Sequence, residues 1–222
     1  MFSIKMDMET RINESKEVIN FIRAIELSDD SDIPRPNTMV LKSSVVIMLY
    51  NVVESTVSRV LSKIHEVIIN EDIKYYELSK SIRNLMIIYF HKNREKNPDI
   101  HNSIDVIHST IDFINGTNGF NLNYTEMAKF YSLYSGNLDA RQVRKVFQKY
   151  EILIPDNIGD NLKTIKTGRN KLAHGEISFE EYGRDIVINM LDNYTENVCV
   201  FLMSVICFTE DFLNEKKYKS PM

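Results

Sequence analysis

The chain has 222 residues, 43% hydrophobic and 26% charged, with a net charge of −4. That balance suits a globular protein with an ample core and argues against one that coats nucleic acid through overall positive charge. Seven Gly and five Pro are too few for the many tight turns of an all-β fold, so long helices are expected.

Residues 6–27 carry a helical period, with Ile12, Ile19, Phe21, Ile22 and Ile25 set among charged residues. DDSDIPRP (29–36) ends this helix, because a residue before Pro is pushed out of the α region. Asn37 or Thr38 then caps a second helix running to about residue 69. A third helix is expected over 74–93, stopping before Asn97–Pro98, and a fourth over 101–114, ending at Asn115–Gly116. NGTNGFNLN (115–123) is rich in turn formers and reads as a loop. Two shorter helices follow at 124–134 and 139–150, separated by SGNL (135–138). A seventh, 158–173, stops at Gly175, a position suited to a left-handed cap. Ser178 and Glu181 have capping-box spacing and open a last helix to about residue 215. The chain reads as one all-α helical bundle over 1–222, with 115–157 inserted as a loop plus a small helical hairpin.

The longest apolar stretch, Val198 to Phe208, falls well short of the ~20 residues that cross a bilayer. The N-terminal MFSIKMDMETR lacks a continuous apolar run and is not a signal peptide. Cys199 and Cys207 share a helix and would sit ~12 Å apart at ~1.5 Å per residue, too far to bridge. A reducing cytoplasm and no membrane association are expected.

Charge is unevenly spread. From Arg141 to Lys171 eight basic residues stand against three acids, giving +5 there and −9 elsewhere. A polyanion should be met in this stretch.

The segment TGRNKLAHGEISFEEYGR places Arg169 and Asn170 five and four residues before His174, at a helix end, with Gly175 and a capped helix following. This resembles the R-(polar)-x3-H motif of the HEPN superfamily of α-helical nucleases. LYNVVES (49–55), GNLDARQVRKVF (136–147) and SFEEYGR (178–184) resemble its MAE-like branch. The resemblance covers most of the chain and is weakest near residues 95–120. It implies a HEPN-type bundle and a metal-independent endoribonuclease of toxin or anti-phage defence type, leaving 2′,3′-cyclic phosphate ends. It also implies a homodimer in which two Arg169 and two His174 meet as the catalytic residues of one composite site. Control by an antitoxin or partner subunit is implied as well.

The residue types fit that chemistry. Histidine, with an ordinary pKa of ~6.5, transfers protons near neutral pH. Arginine keeps its charge and forks two donors onto phosphate. Five residues on an ideal helix put Arg169 and His174 ~140° apart, and a fraying last turn before Gly175 would relax this. Glu54 falls within the apolar stripe formed with Ile47, Tyr50, Val57 and Leu61. A carboxylate buried there needs a cationic or hydrogen-bonding partner. Glu54, with Asn51 a turn earlier and Asn170 beside the arginine, is therefore a supporting residue expected to orient Arg169 or His174. Arg141, Arg144, Lys145, Lys149, Lys166 and Lys171 are the expected RNA-binding cations.

Other patterns carry less. His91, His101 and His108 with Cys199 or Cys207 match no compact ligand spacing, and the cysteines are expected on the core side of the last helix, so neither metal nor cofactor is expected. NGTNG is a turn rather than a phosphate loop. Most Tyr and Phe belong to the core, with Tyr131, Tyr134 and Tyr150 the candidates for stacking on bases. Two readings compete with the nuclease. One is a non-catalytic HEPN nucleotide-binding or assembly module. The other is a DNA-binding regulator, since the hairpin at 124–150 with its basic second helix resembles a helix-turn-helix.

Overall fold

The computed structural model describes residues 1–28, 37–96, 100–134 and 136–221, with backbone alone at 100–102. The helix break expected in DDSDIPRP and the stop at Asn97–Pro98 lie outside the described residues. Among these residues the fold is all-α, as expected. Nine helices follow one another without a β-strand: α1 (Phe2–Leu27), α2 (Thr38–Asn70), α3 (Lys80–Lys96), α4 (Ile100–Ile114), α5 (Tyr124–Phe130), α6 (Ala140–Gln148), α7 (Leu162–Ala173), α8 (Phe179–Arg184) and α9 (Ile188–Asn214). They form two compact units. The first comprises Met1–Val57, Gly136–Val143 and Pro155–Val205; the second comprises Ser58–Ser135, Arg144–Ile154 and Ile206–Met222. Residues 115–157 are thus shared between the two units.

In the first unit, α1 buries Ile4, Met8, Ile12, Ile19 and Ile22, three, four or seven residues apart along one face. Asn37 caps α2, its Oδ1 accepting the N–H groups of Met39 at 3.1 Å and Val40 at 3.4 Å. α2 is long and apolar enough, by length and composition, to cross a membrane, but it buries Val45, Val46, Leu49, Tyr50, Val52 and Val53 inside the protein. That reads as a core helix.

Two expected helices change here. The seventh begins at Leu162 rather than near 158, because Gly159 has φ +83 and its missing side chain makes room for Phe201. A Cβ there would stand 2.6 Å from the Phe201 ring. The single last helix is two, α8 and α9, interrupted at 185–187. Gly183 lies against the Met39 backbone so closely that a Cβ would fall 1.8 Å from the Met39 carbonyl oxygen. Ser43 Oγ holds the start of α8 by donating to the Phe179 carbonyl at 2.6 Å. Ser178 caps that short helix by accepting the Glu181 N–H.

In the second unit the third helix starts at Lys80, six residues later than expected. Residues 77–79 are diverted into an antiparallel bridge with the end of the chain, where Ser79 N–H donates to Tyr218 and Ser220 N–H to Glu77. Glu71 secures the same tail through the Tyr218 hydroxyl and the Lys216 and Lys219 ammonium groups.

The core of this unit is organised around a buried histidine. His65 sits among Phe120, Tyr124 and Tyr150, with Nδ1 2.7 Å from the Leu122 carbonyl and Nε2 2.8 Å from the Tyr150 hydroxyl. A carbonyl can only accept, so Nδ1 carries the proton and Nε2 accepts from Tyr150. Burial lowers the His65 pKa to about 4, against a smaller opposing effect of the Leu122 carbonyl. An unfolded chain therefore takes up this proton first as pH falls. The stability is complete above about pH 6.5 and is lost progressively down to about pH 4. The loss should be on the order of 3 kcal/mol. Urea unfolding followed between pH 7 and pH 4 should show it, and His65→Gln should lack that pH-dependent loss while starting from a lower plateau.

Candidate active site

The sequence around His174 ends α7 by a complete set of C-terminal hydrogen bonds. Gly175 N–H donates to Leu172 and Glu176 N–H to Lys171, with Gly175 at φ +68. This is the Schellman arrangement, in which the left-handed residue favours glycine. His174 is the cap residue and keeps helical dihedrals, φ −90 and ψ −1. The relaxation expected of a fraying last turn is therefore absent, and the ~140° between positions 169 and 174 persists. His174 is exposed, whereas the Arg169 side chain is only 26% exposed.

Arg169 lies in a nest of side chains. Its guanidinium carbon is 4.3 Å from the centroid of the Tyr50 ring. Nη1 donates to Asn170 Oδ1 at 3.0 Å, and Nη2 is 3.8 Å from Glu54 Oε2. Asn170 in turn donates from Nδ2 to Asn137 Oδ1 at 2.7 Å. Tyr50 is buried, and its hydroxyl both donates to the Gly136 carbonyl and accepts the Leu138 N–H. The loop GNLD is thus tied to α2 by Tyr50 and to α7 by Asn170.

A second tie lies three residues along. Lys166 Nζ is 2.5 Å from Asp139 Oδ2, while Asp139 Oδ1 accepts the Gln142 N–H and caps α6. Burial pushes the Asp139 carboxyl up, but the Lys166 ammonium and the Gln142 N–H outweigh it and hold the group below the ordinary carboxylate value.

Several sequence expectations change at this site. Glu54 is near Arg169, yet it is 32% exposed rather than buried, because the residue over it is a glycine: a Cβ on Gly136 would be 3.7 Å from Glu54 Oε1. Asn51 is exposed, on the solvent side of α2. Of the expected RNA-binding cations, Lys166 is committed to Asp139, and Lys149 donates to the Tyr131 hydroxyl at 3.0 Å over that ring. Arg141, Lys145 and Lys171 are exposed and Arg144 is half-buried. Arg141, Lys166 and Lys171 belong to the first unit; Arg144, Lys145 and Lys149 belong to the second.

Tyr150 is fully buried against His65 and offers no stacking face, while Tyr131 is engaged by Lys149 and Tyr134 by Tyr124. Cys207 is exposed and Cys199 half-buried, so neither belongs to the core side of α9 as expected. The connection between α5 and α6 runs nine residues, 131–139, rather than the three or four of a helix-turn-helix. The regulator reading loses its geometric basis there.

The residues that sequence reasoning missed are Tyr50, Gly136, Asn137 and Asp139. The signal lay in LYNVVES and GNLD, both already picked out by resemblance, although their contacts with Arg169 and α7 span long separations.

The family of MAE_28990-like HEPN proteins has a model that matches residues 3–218, nearly the whole chain. That match makes the chain a HEPN protein, and it belongs to the MAE_28990-like HEPN family. No curated protein and no solved structure matches it.

Tyr50→Phe keeps the ring under Arg169 but leaves the buried Leu138 N–H without its acceptor. The unfolding free energy in urea should fall by about 1–3 kcal/mol. Glu54→Gln, at a partly exposed ion pair of 3.8 Å, should change it by no more than about 0.5 kcal/mol. Equal effects of the two would show that the loop is not anchored through Tyr50.

Proposed function

We propose that this chain is a metal-independent endoribonuclease whose catalytic residues are Arg169 and His174, brought together from two copies of the chain. HEPN domains are often ribonucleases or nucleotide-binding modules, and membership of the family supports either activity. The observation that carries the nuclease reading is the state of Arg169. Its guanidinium is held by Tyr50 and Asn170, sits at 3.8 Å from Glu54 without a tight pair, and remains one-quarter exposed. A cation pre-positioned but not neutralised is what a phosphate-binding site requires.

In this reading a histidine takes the proton of a ribose 2′-hydroxyl. The 2′-oxygen attacks the adjacent phosphorus, Arg169 stabilises charge on the non-bridging oxygens, and the 5′-oxygen leaves as its bond to phosphorus breaks. A second proton donor supplies the hydrogen that completes the 5′-hydroxyl. The products are a 2′,3′-cyclic phosphate and a 5′-hydroxyl end, with no metal needed. Because position 174 stays ~140° from position 169 on a helical turn, the histidine that serves a given Arg169 comes from the partner subunit. Of the expected cations, Arg141 and Lys171 in the first unit are exposed and available to the RNA backbone, as is Lys145 in the second. The activity is of toxin or phage-defence type, acting in the cytoplasm and restrained by an antitoxin or partner subunit.

The competing reading, a nucleotide-binding or assembly module without catalysis, draws support from Lys149 and Lys166 being already engaged. One experiment decides between them. Purified protein incubated with total RNA in EDTA should release fragments bearing 2′,3′-cyclic phosphates, and His174→Ala and Arg169→Ala should each lower the rate ~10²-fold or more. Equal cleavage by all three would remove these residues from the mechanism, and saturable RNA or nucleotide binding without cleavage would favour the module.

A further inference from the structure

Within the first unit the fold holds one exposed side chain close to Arg169 in a fixed orientation. Asn137 is exposed, yet both peptide groups that flank it are bonded to the buried Tyr50 hydroxyl, which donates to the Gly136 carbonyl and accepts the Leu138 N–H at 3.2 Å. Leu138 is itself buried, so the backbone at 137 is clamped. The side chain is held too, and the arginine dictates which way round. A guanidinium can only donate, so Asn170 turns its oxygen to Arg169 Nη1, at 3.0 Å. The Asn170 amide nitrogen therefore faces Asn137 and donates to its Oδ1 at 2.7 Å. Asn137 is left with its Nδ2 group, two donors turned away from Asn170 and without an acceptor among the described residues. An exposed bond between neutral amides adds little stability, while ordering a surface side chain costs conformational entropy. Stability alone is a weak reason to fix this amide.

We propose that Asn137 determines base specificity, donating from Nδ2 to a base beside the phosphate held by Arg169 and so favouring uracil and guanine over cytosine and adenine. This rests on the reading of Arg169 as a phosphate-binding residue of an RNA site. Unpaired bases present their hydrogen-bonding edges to side chains. Uracil and guanine carry an oxygen, O4 or O6, where cytosine and adenine carry an amino group. A fixed N–H donor meets an acceptor in the first two and another donor in the others. The two-point grip of asparagine on adenine uses its oxygen as well as its nitrogen, and here that oxygen already accepts from Asn170. The relay from Arg169 through Asn170 to Asn137 thus couples the phosphate contact to the base contact, and it lies entirely within the first unit.

The test compares wild type, Asn137→Ala and Asn137→Asp, full chains altered only at this exposed side chain, in two assays. In the first, an RNA of known sequence is digested and the new ends are sequenced. Wild type should cut beside uracil or guanine about threefold to tenfold faster than beside cytosine or adenine, the worth of one neutral hydrogen bond. Asn137→Ala should bring that ratio close to one without abolishing cleavage. Asn137→Asp keeps an oxygen for Asn170 but replaces the donors by an acceptor, so its preference should turn towards cytosine and adenine. Each ratio compares substrates for one protein, so a change in overall rate from the added charge cancels. A residue that only ties the loop to α7 would leave the ratio unmoved in both variants. In the second assay, short 2′-O-methyl oligomers of U, A or C, which have no 2′-hydroxyl to attack, should bind with the same order and the same reversal. Base-dependent binding without cleavage would sink the nuclease and keep the base contact. A wild type without base preference in either assay, or variants that retain its preference, overturn the proposal.

Discussion

The contacts that fix Arg169 in place without neutralising it tie α2, α7 and the GNLD loop of the first unit together, as the proposed phosphate-binding role would require. A free arginine side chain carries about 2 kcal/mol of rotamer entropy, which has to be removed before substrate arrives if it is not to weaken binding. Here the removal is done by a ring and an amide rather than by a tight ion pair. Tyr50 offers its face at 4.3 Å, Asn170 offers one carbonyl oxygen, and Glu54 stays at 3.8 Å where water screens it. Tyr50 can serve as a platform because its hydroxyl is pinned on both sides by the loop at Gly136 and Leu138. Gly136, at φ +71, lets that loop turn without a side chain that would close over Glu54.

This dependence explains which parts of the site were legible in the sequence. The helix end was, because a Schellman cap is local: Leu172, Lys171, Gly175 and Glu176 write it within six residues. The sequence pointed to a partner for Glu54 from its place in the apolar stripe, and Arg169 does stand 3.8 Å away. The burial of Glu54 was misjudged because periodicity cannot show that the element lying over it is a glycine. Tyr50 was invisible as a functional residue, since its place in the stripe and its burial are those of any core tyrosine. What distinguishes it is a hydroxyl reaching a loop 86 residues away. The +5 stretch was countable, but the count took no account of Asp139 and Tyr131, just outside it, which engage Lys166 and Lys149.

The fold shows the same division. The all-α class and most helix ends follow from period, caps and breakers. The departures occur where a distant segment competes for the backbone. Residues 77–79 would continue a helix by pattern, yet the chain end claims their hydrogen bonds. Helices α8 and α9 would join, yet Gly183 is drawn against the Met39 carbonyl. In α4 the isoleucine period announces a helix, but only the structure shows that Phe113 takes the core and the isoleucines do not.

The helical dihedrals of His174 bear on the proposed chemistry more than any distance within the cluster. A frayed last turn of α7 would let one chain swing its histidine towards its own arginine. The Glu176 and Gly175 hydrogen bonds prevent that by closing the helix one residue later. The cap that presents His174 to solvent thereby separates it from the Tyr50 platform. Rigidity at both positions, in opposite orientations, is of little use to a lone chain as a nuclease. It suits the two-fold assembly proposed above, in which each histidine would reach the other copy's arginine already oriented.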